Sequence, residues 1–128
     1  MNLEKVVFGF FILSAATLNF GFVMGDIADA RVHNVYELFL AVFVNLIAMI
    51  LKFGDRTQLG AVHLATSLVA VLQLVAATTV WVWATHVSGS GLDAEATSSM
   101  VSLSAGALLA NIVSVVLLTV ETLSFRRR

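Results

Sequence analysis

The chain has 128 residues, of which 59% are hydrophobic and only 12% charged, with a formal net charge of −1. Soluble domains carry about 25% charged residues, so a chain this apolar must turn much of its surface to lipid or to other subunits. The near-neutral balance gives no electrostatic basis for binding nucleic acid, and the lack of cysteine excludes disulfides, thiolate metal sites and thiol catalysis.

Four apolar stretches, at about 6–24, 36–52, 59–87 and 99–124, take up most of the sequence. Each is about long enough for a helix to cross ~30 Å of hydrocarbon at ~1.5 Å per residue. The segments of ~10 alternating residues that a membrane β-barrel needs are missing. The expected fold is therefore an all-α integral membrane protein: one domain, 1–128, forming a four-transmembrane-helix bundle.

The first stretch follows Met1–Lys5 and approaches Ala28-Asp29-Ala30, an arrangement that imitates a secretory signal with its cleavage site. The apolar run is longer than a usual signal core and Asp26 interrupts the approach, so a true first span is expected. The connection that follows carries Asp26, Asp29, Arg31 and His33, with Glu37 just beyond. If the chain stays helical there, the spacing of three, four and four residues puts Asp26, Asp29, His33 and Glu37 on one face. Such a stripe rises about 16 Å, too far for a single ion, and no metal site is expected.

Between the second and third stretches, Gly54-Asp55-Arg56-Thr57 has the composition of a tight turn. The third stretch carries His63 near its start and Trp81 and Trp83 near its end, where interfacial aromatics belong. A neutral His63 bonded to Asn45 or to a backbone carbonyl is the expected state. The connection at 88–99 starts Ser-Gly-Ser-Gly and is read as the most flexible loop. Thr97 or Ser98 is the expected cap of the fourth helix. That helix carries Ser98, Ser102, Gly106, Ala110 and Ser114 at intervals of four, a small-xxx-small ridge that favours close helix packing in lipid.

The charges sort by side. Lys5, Lys52, Arg56, Arg126, Arg127 and Arg128 fall on one side of a four-span arrangement and only Arg31 on the other. The positive-inside rule then puts both termini in the cytoplasm, in a bacterial inner (plasma) membrane. The opposite mouth is acidic, with Asp26, Asp29 and Glu37 at its centre, and an acidic entrance concentrates cations. Glu121 is expected near enough to the cytoplasm either to pair with Lys5 or a base of the inner loop or to form part of an inner acidic ring.

Polar side chains inside the spans are costly and mark packing or transport. Counted from the cytoplasmic ends, Asn19, Gln73 and Asn111 each lie about 20 Å deep and form an expected amide layer, with Ser104 close by. Asn45 and His63 lie nearer the cytoplasm. Since close-packed helices leave no aqueous pore, a conduit lined by these residues is expected between protomers.

No catalytic set emerges and no cofactor is implied. The sequence supports a small homo-oligomeric channel for a monovalent cation, with the lipid bilayer and further copies of the chain as partners. The alternatives are a non-conducting accessory or assembly subunit of a larger membrane complex and a small secondary transporter. The last is weakened by the absence of proline and of a mid-membrane carboxylate.

Overall fold

The computed structural model describes residues 3–26 and 28–127, with side chains as far as Leu123. Met1 and Arg128 lie outside the described residues, as do the side chains of Arg126 and Arg127. The chain forms four helices, α1 (Leu3–Val23), α2 (Val35–Lys52), α3 (Gln58–Val82) and α4 (Ala94–Arg127). A five-residue π turn, Trp83–Val87, extends α3, and a single 3₁₀ turn, Ala30–Val32, lies between α1 and α2. All four helices are long and apolar enough to cross a membrane, which bears out the expected all-helical, four-span class.

The helices form a ring in which each packs on its neighbours in sequence and α4 closes back on α1. The fully buried positions explain why. In α1 they include Phe8, Ile12, Ala15, Asn19 and Phe22; in α2, Leu38, Ala41, Asn45 and Ala48. In α3 they include His63, Ser67, Ala70, Leu74 and Ala77, and in α4 Met100, Ser104, Ala107, Asn111 and Ser114. Every series alternates steps of three and four, the ~3.5-residue period of a left-handed bundle with near-parallel helix axes.

What fills those positions is unusual for a water-soluble bundle. Alanine, serine and asparagine recur inside, while Phe10, Leu13, Phe20, Leu40, Phe43, Ile50, Leu72, Leu109 and Val116 are among the large side chains left exposed. Small and polar side chains inside with large apolar ones outside is the arrangement that lipid favours, because close backbone approach replaces hydrophobic collapse as the source of cohesion.

Local chemistry sets the ends. Asn34 caps α2 by accepting from the Tyr36 N–H at 2.9 Å, and Thr57 caps α3 through the Gly60 N–H at 2.9 Å. The fourth helix begins at Ala94, five residues before the expected boundary at 99. Its cap is Asp93, whose carboxylate accepts from the Ala96 N–H at 2.8 Å. Neither Thr97 nor Ser98 has that role, because an aspartate already occupies the N-terminal position, and Thr97 is carried inward to 2% exposure.

The chain leaves α1 through Gly25, whose φ of +99° belongs to the left-handed region; a Cβ there would come within 2.7 Å of Val32 Cγ2. Gly25→Ala is therefore expected to lower stability by about 1–3 kcal/mol. A thermal melt in detergent that left the midpoint unchanged would contradict this.

One end of the ring holds the start of α1, the α2–α3 turn and the end of α4; it is called the terminal end below. Lys5 Nζ lies 2.9 Å from Glu121 Oε1, joining α1 to α4 as the sequence led us to expect, and Lys52 Nζ lies 3.6 Å from Asp55 Oδ2. The far end holds the α1–α2 and α3–α4 connections.

Candidate functional site: a buried polar column

The 3–4 spacing that builds the bundle also lines up its polar side chains. His63 lies 1% exposed with Nδ1 2.6 Å from Ser114 Oγ, so its partner is a hydroxyl on α4 and neither Asn45 nor a carbonyl. Which of the two donates depends on the ring tautomer. Ser67 follows His63 by one turn of α3, and Asn111 precedes Ser114 by one turn of α4. Asn45 lies on α2 one turn from Ala48, which packs with Phe8 and Ile12.

The Lys5–Glu121 pair and the approach of Gly9 to Leu118 fix the register of α1 on α4. Continued along both helices, that register brings Asn19 about level with Ala107, between Ser104 and Asn111. Thr97 lies two further turns towards the far end.

The result is a succession of polar groups at intervals of about one turn along the bundle axis. Asn19, Asn45, Ser67, Ser104, Asn111 and Ser114 are all 0% exposed. Few of their atoms are satisfied. Asn45 Nδ2 donates to the Ala41 carbonyl at 2.8 Å, but its Oδ1 has no hydrogen-bond partner among the described residues. The same holds for both amide atoms of Asn19 and Asn111, for His63 Nε2, and for the hydroxyls of Ser67, Thr97 and Ser104. Buried polar groups are overwhelmingly hydrogen-bonded. A whole line of them without protein partners is where ordered water or a hydrophilic ion finds its contacts.

Apolar clusters cross the column, one at its terminal end and one between Ser104 and Thr97 towards the far end. Phe8, Ile12 and Ala48 pack together towards the terminal end. Phe22, Leu38, Leu74, Ala77, Met100 and Val101 pack together towards the far end.

This placement revises the expected amide layer in two respects. Asn19 and Gln73 do lie at about one height, but Asn111 sits about one turn nearer the terminal end. Gln73 is only half-buried and does not reach the axis. Its carboxamide lies against Gly106, and with Thr66, Val69, Ala110 and Val113 it lines an outward groove of about 380 Å³ between α3 and α4. Asn19, Asn111, Asn45, His63 and Ser104 are all buried inside the bundle of one chain, so they line no surface at which copies could meet, contrary to the expected conduit between protomers.

The ridge of small residues divides as well: Ser114 is buried, Ser98, Gly106 and Ala110 are half-buried, and Ser102 is exposed. It flanks the contact between α3 and α4, the most extensive of the helix pairs.

The acidic far end is not one helical stripe, because the chain between α1 and α2 is not helical until the 3₁₀ turn. Asp26 accepts from the Ala28 N–H at 3.0 Å. Asp29 takes two hydrogen bonds from the Arg31 guanidinium, at 3.1 and 3.0 Å, which hold its carboxyl below the usual range. Glu37 leans on Gly21 of α1. His33 turns inward, with Nδ1 2.5 Å from the Phe22 carbonyl and Nε2 2.7 Å from that of Asp26. These residues tie the connection down locally, and of Asp26, Asp29 and Glu37 it is Asp26 that is exposed and, among the described residues, in no ion pair. At the terminal end, hydrogen bonds from Thr57 likewise hold Asp55 below the usual carboxylate range.

Sequence reasoning missed Ser67, Thr97 and the part played by Phe8. The signal for Ser67 was present: it stands four residues from His63 and three from Ala70, on the 3–4 series.

Among the described residues no group of three or more histidine or acidic side chains could hold a metal ion. No curated protein and no solved structure matches the chain. A family profile does match, over residues 32–122, so that α2, α3 and most of α4 fall inside it while Phe8 and Asn19 of α1 fall outside. With that much of its length covered, the chain belongs to DUF6394, a family of unknown function.

Proposed function

We propose that the protein is a small homo-oligomeric membrane channel for monovalent cations, in which the polar column of each protomer, closed by packing in this conformation, becomes the path when the helices part. The observation that carries this reading is the column itself: neutral oxygen and nitrogen atoms, buried to zero exposure and without protein partners, running along the axis of a four-span bundle. Amide and hydroxyl oxygens replace an ion's water without the deep trapping that a carboxylate brings.

Orientation follows from charge. Lys5, Lys52 and Arg56 stand at the terminal end against Arg31 at the far end, so the terminal end is assigned to the cytoplasm of a plasma membrane. The half-buried Gln73 amide beside Gly106 and Ala110 supports self-association along the α3–α4 flank, since small residues and carboxamides are what helices in lipid use to join.

Folded protein, checked for its oligomeric state and reconstituted into liposomes with a potassium gradient and an internal pH dye, is expected to pass cations; ion-tight vesicles would overturn the reading. Asp26→Asn is expected to lower flux about two- to threefold at low salt and very little at high salt, as screening dictates.

The apolar closure of the column towards both ends favours one second reading, an alternating-access carrier, which saturable counterflow would identify. Purification with one stoichiometric foreign partner would instead indicate an accessory or assembly subunit.

A further inference from the structure

The terminal end holds a vestibule of about 810 Å³, lined by Lys5, Lys52, Asp55 and Glu121 above a floor that includes Phe8. Phe8 is 1% exposed and meets His63 edge-on, with ring centroids 4.9 Å apart. On the vestibule side of the same ring, the Lys52 ammonium stands 4.3 Å from its centroid, within cation–π range, while 3.6 Å from Asp55.

The Phe8 ring, packed with Ile12 and Ala48, thus stands between a charged, open cavity and the polar pair of the column nearest to it. Lys52 closes the last turn of α2 and pairs with Asp55. Its side chain is only 16% exposed and stands on the ring that faces the vestibule.

We propose that Phe8 is the gate between this vestibule and the polar column, and that Lys52 is the charge filter seated on it. The inference rests on reading the column as the path, and it adds where that path is closed and by what. Opening requires the Phe8 ring to swing off His63. Although 3.6 Å from the Asp55 carboxylate, an ammonium over the ring holds back a second cation entering from the vestibule more than it does a neutral molecule, until the ring and Lys52 move aside together.

The absence of cysteine makes a direct test available. Ser67→Cys puts the only thiol of the protein one turn beyond His63. In lipid nanodiscs this thiol is expected to react slowly with 2-aminoethyl methanethiosulfonate, a cation, and with neutral methyl methanethiosulfonate. Adding Phe8→Ala is expected to raise both rates about tenfold or more, as removal of a closed state about 1.4 kcal/mol deep or more requires. Adding Lys52→Gln, which leaves the ring in place, is expected to raise the rate of the cationic reagent about fivefold relative to the neutral one.

Equal rates with and without Phe8 would overturn the gate. A Lys52→Gln effect of the same size on both reagents would overturn the filter and mark a mere loosening of the fold. Because neither readout requires conduction, ion-tight vesicles combined with the expected thiol pattern would leave the gate standing and remove the channel reading alone.

Discussion

Asn111→Leu is expected to leave the unfolding midpoint of the protein unchanged or raised while cutting cation flux by about tenfold or more. Asn111 is fully buried, and neither its Oδ1 nor its Nδ2 has a hydrogen-bond partner among the described residues. Leucine keeps the same branched skeleton of four side-chain heavy atoms, with methyl groups somewhat bulkier than the amide atoms they replace, and gives up no protein hydrogen bond. It removes a polar group whose desolvation costs about 1–3 kcal/mol when unmatched. The same change takes the one amide of α4 out of the column and puts a branched apolar side chain where an ion or a water file would pass.

The opposite result is equally clear in meaning. An amide that locks helices together gives about 1 kcal/mol or more to the bundle, so its loss lowers the midpoint. A lower midpoint with undiminished flux would assign Asn111 to packing and remove it from any path. Asn19→Leu tests the same point from α1, where both amide atoms are again unmatched.

The second large effect concerns the pair that closes the column beneath Phe8. His63→Ala is expected to cost about 3 kcal/mol or more, because it opens a cavity under the Phe8 ring and leaves Ser114 Oγ without its partner. Ser114→Ala removes only the hydroxyl and is expected to cost about 1–2 kcal/mol by orphaning Nδ1 at a site with no access to solvent. The two losses should not add: a double-mutant cycle read by denaturation in detergent is expected to give a coupling of about 1–2 kcal/mol. Additivity within about 0.5 kcal/mol would mean that the 2.6 Å contact contributes nothing.

The sequence showed the four spans because hydropathy over ~20 residues is a property of composition and needs no partner. The Lys5–Glu121 pair was legible too, since both residues lie at the same side of any four-span arrangement. Which face of each helix turned inward was not. Gln73 and Leu74 are neighbours about 100° apart around the helix, and the bundle buries Leu74 while leaving Gln73 on the flank. Ser67 is likewise buried while its neighbour Thr66 lines the outward groove. Such a rotation follows from the 3–4 spacing of all four helices together, and judging each polar residue by its depth alone misses it.

The far-end acids were misjudged for a different reason. Their helical spacing meant something only if the chain stayed helical, and the left-handed Gly25 and the Asp29–Arg31 pair break the helix there. Heights along the axis erred by about one turn for Asn111 because hydropathy draws span ends loosely, whereas a salt bridge fixes them.

The contact between Lys5 and Glu121 has a consequence for how the molecule can be handled. It brings the first and last helices side by side at the same end, so a short peptide leads from the end of one copy to the start of the next without crossing the membrane. Tandem fusions of two or more copies are thus sterically open to this fold, as is a circular permutation that joins the ends and cuts the exposed α2–α3 turn at Arg56. With fused copies, altered and unaltered columns can be joined in known ratio in one polypeptide. Self-association and the independence of the columns then become quantities that can be measured.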